Sequence, residues 1–203
     1  MSVSIGEPNL LLVEGQNDAR FCGALLRHLG ISGVQVPEVG GKGQFCPWLK
    51  ALVRTPGFDQ VKVVLAVRDA DENAQGAFQS IRDAFRDAGL PVPNQPGRLT
   101  DKVPRVGVEI LPGEGRPGNL EHLCLTAIAD DPALPCLDQF FGCPKKNGLS
   151  RPRDMSKAKV QVFLASRPKP GLRLGEAAEA AYWPWEAAAF GGLKQFLRLF
   201  AVQ

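Results

Sequence analysis

The segment Val61–Asp71, VKVVLAVRDAD, is an apolar run that ends in two carboxylates. Polar and apolar residues do not alternate between Val63 and Val67, which predicts a strand buried on both faces at the centre of a sheet. Side chains two positions apart in an extended chain point the same way, so we expect Asp69 and Asp71 to emerge together at its carboxyl end. This arrangement suits a hard cation. The alternative is an ordinary turn, in which aspartates bond their own backbone.

A second apolar run, Asn9–Glu14 with the sequence NLLLVE, also ends in a carboxylate and is followed by Gly15. Glycine permits the tight turn that leads from a strand into a helix. Glu14 is therefore expected at the carboxyl end of a strand, as Asp69 is. Asp18 opens the next apolar helical pattern, where it either caps the helix or joins the acidic group.

The segment Val34–Val39 has a weaker strand pattern and runs into Gly40–Gly43, GGKG. Glycines allow a phosphate to approach the backbone, and Lys42 would supply positive charge, so we assign Lys42 as a nucleic-acid contact. The sequence is not a nucleotide-binding P-loop, because it lacks that motif's length and its terminal Lys-Ser/Thr pair.

The remaining apolar patterns complete an alternation of strands and helices. A helix is predicted from Phe45 to Arg54, another ends at Gly89, and Arg105–Pro112 forms a fourth strand. The order β-α-β-α-β-α-β predicts an α/β fold with a mainly parallel four-stranded sheet flanked by helices. Glu121 falls in the first turn of the following helix, where a carboxylate commonly serves the helix dipole.

Length and composition favour one α/β domain, residues 1–130, with a helical C-terminal extension, residues 131–203, packed on it. The extension is rich in proline, glycine and alanine and shows no strand pattern. Its aromatic residues are expected to anchor packing rather than to stack on bases: Tyr182, Trp183, Trp185 and Phe190.

Hydropathy indicates where in the cell we expect the protein, whereas net charge leaves its binding partners open. No apolar run approaches the roughly 20 residues that cross a bilayer, so we expect a cytoplasmic protein without membrane contact. The net charge of +3 is too small to argue for nucleic-acid binding by itself. The oligomeric state is left open.

Taken together, LLLVEG, GGKG and VVLAVRDAD resemble the TOPRIM domain of type IA topoisomerases, bacterial primases, gyrase and the overcoming-lysogenization-defect (OLD) nucleases. The signature of that domain is a Glu after the first strand and Asp-x-Asp after the third, and the resemblance spans Leu10–Leu125. The sequence LEHL at Leu120 resembles the late acidic element of OLD-type nucleases. The segment Lys157–Trp183 resembles small stand-alone TOPRIM-related bacterial proteins of unknown function.

The resemblance implies a Mg²⁺- or Mn²⁺-dependent nuclease or related phosphodiester-cleaving enzyme, with DNA or RNA as substrate and an ATPase as a possible protein partner. It implies proton transfer and metal contact by Glu14, and a lysine, Lys157 or Lys159, that balances charge in the transition state. The other metal-site residues that it implies are Asp18, Asp69, Asp71 and Glu121.

Other assignments fit the motifs less well. A response-regulator receiver carries its acidic pair on the first strand, and a haloacid-dehalogenase phosphatase also has DxD there. A topoisomerase needs a covalent tyrosine module, yet the one tyrosine is Tyr182, in the extension. The main alternative is a TOPRIM-fold module that binds nucleic acid or a partner without catalysis, as in a phage-defence or toxin-like system.

Overall fold

The computed structural model describes residues 4–148 and 150–201. The described chain contains one four-stranded sheet whose strands are all parallel, in the order β2-β1-β3-β4. The predicted fold class is therefore confirmed. The strands are β1 (Asn9–Leu12), β2 (Val34–Gln35), β3 (Val63–Asp69) and β4 (Arg105–Leu111).

Helices follow the strands and continue through the C-terminal part of the chain. None of the helices in the described ranges is long and apolar enough to cross a membrane. The helices are α1 (Gln16–His28), α2 (Phe45–Leu52), α3 (Ala74–Asp87), α4 (Leu120–Ala127), α5 (Ala133–Lys146), α6 (Met155–Ala165), α7 (Leu174–Glu179) and α8 (Gly191–Leu197).

Strand β3 lies between β1 and β4 and is buried on both faces, as its unbroken apolar run predicted. Val63, Leu65 and Val67 belong to the core beneath α1, α4, α6 and α7. Val64 and Ala66 belong to the opposite core, beneath α2 and α3. The central strand thus joins two cores, and its carboxyl end is fixed from both sides.

The predicted strand Val34–Val39 is shorter in the structure, where only Val34–Gln35 form β2. Pro37 has no N–H to donate to a ladder, which limits regular pairing at that point. The chain still follows β1 to its end, because Val39 donates its N–H to the carbonyl of Val13. This path delivers Gly40 and Gly41 to the carboxyl edge of the sheet, where both donate their N–H groups to the carbonyl of Glu14.

The predicted helix Phe45–Arg54 ends two residues early, at Leu52. Thr55 precedes Pro56, and a residue before proline is pushed away from helical geometry, so the chain leaves the helix in a turn.

The aromatic residues of the extension are packing anchors, as expected: Trp183, Trp185 and Phe190 are buried. The division at residue 130 stays a prediction.

Helix α7 packs closely on the first turn of α1 through Gly175. A Cβ at position 175 would lie 2.6 Å from the carbonyl oxygen of Asn17 and 2.7 Å from the Cβ of Arg20. This contact brings the C-terminal part of the chain to the start of α1, next to Asp18.

We therefore expect Gly175→Val to lower the free energy of unfolding by about 1–3 kcal/mol, because backbone must move to admit the side chain. Urea denaturation measures the change. Gly192→Ala in α8 is the matched control, since nothing lies within 4 Å of its added Cβ and stability should not fall. Equal stability of the two variants would contradict the packing of α7 on α1.

Candidate functional site

A cavity of about 790 Å³ opens at the carboxyl edge of the sheet. It lies between the ends of β1 and β3, the first turns of α1 and α4, and one side of α6. Four of the five predicted metal-site carboxylates line it: Glu14, Asp18, Asp69 and Glu121. Residues far apart in sequence therefore converge on one concave site.

Asp69 is the last residue of β3 and the most perturbed carboxylate of this group. Its Oδ1 accepts a hydrogen bond from the backbone N–H of Leu120, at 2.9 Å. Burial raises the pKa of Asp69 to about 8, and the charges of Asp18, Glu14 and Glu121 add to the rise. The Leu120 bond opposes this only in part. Asp69 thus lies where additional positive charge would be strongly stabilising.

Asp18 combines the two roles that the sequence left open. Its Oδ2 accepts a hydrogen bond from the N–H of Gly15 at 3.0 Å, which caps the first turn of α1. Burial raises the pKa of Asp18 to about 6, and the charges of Glu14 and Glu121 contribute. The residue therefore caps α1 while its charge acts on the same acidic group.

Glu121 is placed by a polar link between the N-termini of α4 and α6. The hydroxyl of Ser156 donates to the Oδ1 of Asp154 at 2.6 Å, and its oxygen lies 3.2 Å from the Oδ1 of Asn119. Asn119 caps α4 and Asp154 caps α6. Burial raises the pKa of Glu121, whereas the charge of Lys157 lowers it. The link holds Glu121 and Lys157 on neighbouring helix ends.

Glu14 has a buried partner that the sequence analysis missed. The Nε of Arg68 lies 3.6 Å from the Oε1 of Glu14, too far for a hydrogen bond, and both atoms are buried without a hydrogen-bond partner. The NH1 group of Arg68 donates instead to the carbonyl of Ala77, at 3.2 Å. Burial raises the pKa of Glu14, while Arg68 and the backbone N–H of Asp69 lower it.

Asp71 does not share the cavity wall with Asp69. The strand ends at Asp69, and Asp71 has a φ of 50°, so the extended spacing predicted for the two side chains does not hold. Its backbone pairs with that of Gly118, and its side chain forms an exposed ion pair with Lys42, at 2.8 Å. The charge of Asp71 still raises the pKa of Glu14, which places the pair beside the acidic group.

The structure separates the two lysines that the sequence could not distinguish. Lys157 lines the cavity, and its charge lowers the pKa of Asp18 and of Glu121. The Nζ of Lys159 instead forms an ion pair with Asp138 of α5, at 2.7 Å. The Nζ of Lys157 also lies 3.8 Å from the Oδ2 of Asp154, but of the two lysines only Lys157 lines the cavity.

The carboxylates suit a divalent cation that keeps several water ligands better than a cation that is fully enclosed by protein ligands. Within the described ranges, no three Asp, Glu, His or Cys side chains form a group that could hold a metal ion. Burial, with the charges of neighbouring carboxylates added to it, raises the pKa of Asp18 and of Asp69, so a cation beside them would stabilise their charged forms. Mg²⁺ commonly takes one or two carboxylates and keeps several waters, so this donor set fits such an ion.

A family model described as a protein of unknown function, DUF3226, matches residues 8–201. The chain belongs to this family. The DUF3226 chain is also similar in structure to the C-terminal region of the OLD protein of Xanthomonas campestris pv. campestris. Two solved structures, phased with mercury and with platinum, share 15% and 17% identity with it, each with a TM-score of 0.50. Each alignment covers 97% of this chain, and 97% and 95% of the respective OLD chains.

These similarities confirm the TOPRIM-like fold and the relationship to an uncharacterised family that the motifs predicted. A comparison with curated protein sequences finds no significant match. At this level of identity the OLD structures establish the fold of the DUF3226 chain, and its chemistry must be argued from its own residues.

The raised pKa of Asp69 makes stability depend on pH. In an unfolded chain the carboxyl loses its proton near pH 4, whereas the folded protein retains it until about pH 8. Between these values the folded state binds more protons, so the free energy of unfolding of the metal-free protein should fall as pH rises and level off above pH 8.

Asp69→Asn removes this titration while its amide oxygen can still accept the Leu120 bond. We expect the variant to be more stable than wild type at pH 8, by on the order of 2 kcal/mol, with a smaller gain at pH 5. Urea denaturation in EDTA at pH 5 and at pH 8 measures the difference in the free energy of unfolding. The exposed Asp130→Asn serves as control. A pH-independent difference between Asp69→Asn and wild type would contradict the buried, charge-repelled state of Asp69.

Proposed function

We propose that this protein is a metal-dependent phosphodiesterase that cuts nucleic acid with Mg²⁺ or Mn²⁺ at the acidic cavity. The observation that carries the proposal is the convergence of four carboxylates, two with strongly raised pKa values, in a cavity whose wall includes Lys157. The resemblance of the motifs to those of OLD-type TOPRIM nucleases supports the same chemistry.

In this proposal Asp69 is the principal metal ligand, with Asp18, Glu121 and Glu14 around it. Asp71 pairs with Lys42 and would join the metal site once Lys42 turns to a phosphate. Such a cation, when bound, would neutralise nonbridging phosphate oxygens and lower the pKa of an attacking water. Hard carboxylate oxygens are suitable ligands for this role.

Glu14 is the proposed proton-transfer residue. Its Oε1 faces Arg68 in a buried contact, which leaves Oε2 to exchange a proton with the attacking water or the leaving oxygen. Burial raises the pKa of Glu14, which favours uptake of a proton by this carboxylate, and Arg68 limits that rise. Arg68 acts through Glu14 and is a positioning residue.

The cations have separate proposed roles. Lys157 would balance the negative charge that develops on the phosphate, and Lys42 would contact backbone phosphate at the cavity mouth. In this view residues 1–130 supply the carboxylates and the extension, residues 131–203, supplies the wall with Lys157. The site would then be complete only with both parts.

The two lysines of α6 provide a matched comparison. We expect Lys157→Ala to slow cleavage by about 100-fold or more, because one charged group aimed at the transition state is removed. Lys159→Ala should leave the rate unchanged, since its charge pairs with Asp138. Single-turnover cleavage with Mn²⁺ of single- and double-stranded DNA and RNA measures both. Equal effects of the two substitutions would contradict the role of Lys157.

Glu14→Gln separates proton transfer from metal binding. An amide keeps an oxygen ligand but cannot exchange a proton at neutral pH. The variant should lose cleavage yet retain most of the increase in melting temperature that Mn²⁺ gives wild type, whereas Asp69→Asn should lose both. If wild type cuts none of the four nucleic-acid classes with either metal, the nuclease proposal is wrong and a binding module remains.

A further inference from the structure

The small net charge of the chain conceals a strong segregation of charge. Seven of its 24 basic residues, but only one of its 21 acidic residues, lie between Arg151 and Arg173. This segment therefore has a formal charge of +6, and the rest of the chain has −3. The segment consists of α6 and the loops that flank it.

The basic segment borders the acidic cavity directly. Helix α6 and the following loop contribute one side of the cavity, including Lys157, Gln161, Gly171 and Arg173. The carboxylates that line the same cavity lie on the ends of β1 and β3 and in the first turns of α1 and α4. Positive and negative side chains thus line one opening.

Three of the seven cations have an acidic partner: Lys157 lies 3.8 Å from Asp154 in an exposed contact, and two others are held in internal contacts. Lys159 pairs with Asp138 at 2.7 Å, and Arg167 bonds Asp131 through both terminal nitrogens while lying over the ring of Phe163. In contrast, Arg151, Arg153 and Lys169 are exposed, and none of them has an ion-pair partner among the described residues. These charges are available to a ligand.

We propose that this surface binds the phosphate backbone of a nucleic-acid strand and delivers it to the cavity. We call it the α6 basic wall, defined by Arg151, Arg153, Lys157, Lys169 and Arg173. The inference rests on the proposed function, because the strand it binds is the one to be cut. It adds the surface that recognises the substrate, which the carboxylates cannot do since they repel phosphate.

The spacing of the cations favours a polyanion over a small anion. Helix α6 has 11 residues, so its ends are about 16 Å apart. Arg151 and Arg153 precede its first turn, and Lys169 and Arg173 follow its last. A single phosphate cannot contact both ends, whereas a nucleic-acid backbone carries charges at intervals of a few ångströms along its length.

The test compares two triple variants that remove equal charge. Arg151→Gln/Arg153→Gln/Lys169→Gln alters the wall and leaves every proposed catalytic and metal residue in place. Arg54→Gln/Lys62→Gln/Lys102→Gln alters exposed cations near the amino edge of the sheet, at the opposite end of β3 from the cavity. Binding of fluorescein-labelled single-stranded and duplex DNA and RNA is followed by anisotropy in EDTA over a range of salt concentrations.

We expect the wall variant to bind about tenfold or more weakly at low salt, with the slope of log K against log salt reduced by about two to three. The control variant should bind as wild type does. Equal binding by all three proteins, equal losses in both variants, or no binding by wild type would overturn the proposal. Circular dichroism checks that both variants are folded.

Two further measurements distinguish nucleic-acid binding by the wall from binding of other anions and from the proposed nuclease activity. Polyglutamate and phosphatidylserine vesicles probe other anionic partners, and binding of either as tightly as oligonucleotide, with the same loss in the wall variant, would overturn nucleic-acid recognition. Cleavage by wild type with Mn²⁺ is measured separately. If wild type cleaves nucleic acid but the wall variant binds as tightly as wild type, only the proposed role of the α6 basic wall is wrong. If binding depends on the wall but no cleavage occurs, only the nuclease proposal is wrong.

Discussion

The hydrogen bond from the backbone of Leu120 to the carboxylate of Asp69 fixes the geometry on which the site depends. It ties the end of the central strand to the start of α4, the helix whose first turn carries Glu121. Burial removes water from the carboxylate of Asp69, and the charges of three neighbouring carboxylates act on it as well. Together they raise the pKa of Asp69 to about 8. The fold thus gathers four carboxyl groups where solvent screens charge poorly. A divalent cation bound there would stabilise their charged forms, which would link the stability of the metal-free protein to its proposed chemistry.

The C-terminal part of the chain is bound to this site by polar and apolar contacts together. Contacts among Asn119, Ser156 and Asp154 join the caps of α4 and α6, which brings Lys157 to the cavity that the carboxylates line. Gly175 lets α7 pack against the first turn of α1, where Asp18 lies. The same core cluster contains residues from Leu11 to Phe200, so displacement of the extension would uncover the site as well as the core.

The sequence predicted the parts of the site that follow from strand ends. Glu14 and Asp69 each terminate an apolar run, and parallel strands bring such ends to one edge. Arg68 was missed because its partner, Glu14, follows a different strand, and only the pairing of β1 with β3 brings the two side chains together. The only local signal was a charge inside a buried run. Asp71 departs from expectation because a left-handed conformation at a residue other than glycine has no clear sequence pattern. Lys157 and Lys159 lie about 200° apart around a helix, and only tertiary packing decides which one faces the cavity.

The most direct test of the acidic cavity as a metal centre is anomalous diffraction from crystals soaked in Mn²⁺, with data collected near the manganese edge. We predict a peak inside the cavity, about 2.0–2.3 Å from a carboxylate oxygen of Asp69, with water completing much of its coordination. Asp18, Glu14 or Glu121 should contact the ion directly or through one of those waters. A cavity without an anomalous peak, in a crystal that holds manganese at the exposed Asp71 or elsewhere on the surface, would contradict the account.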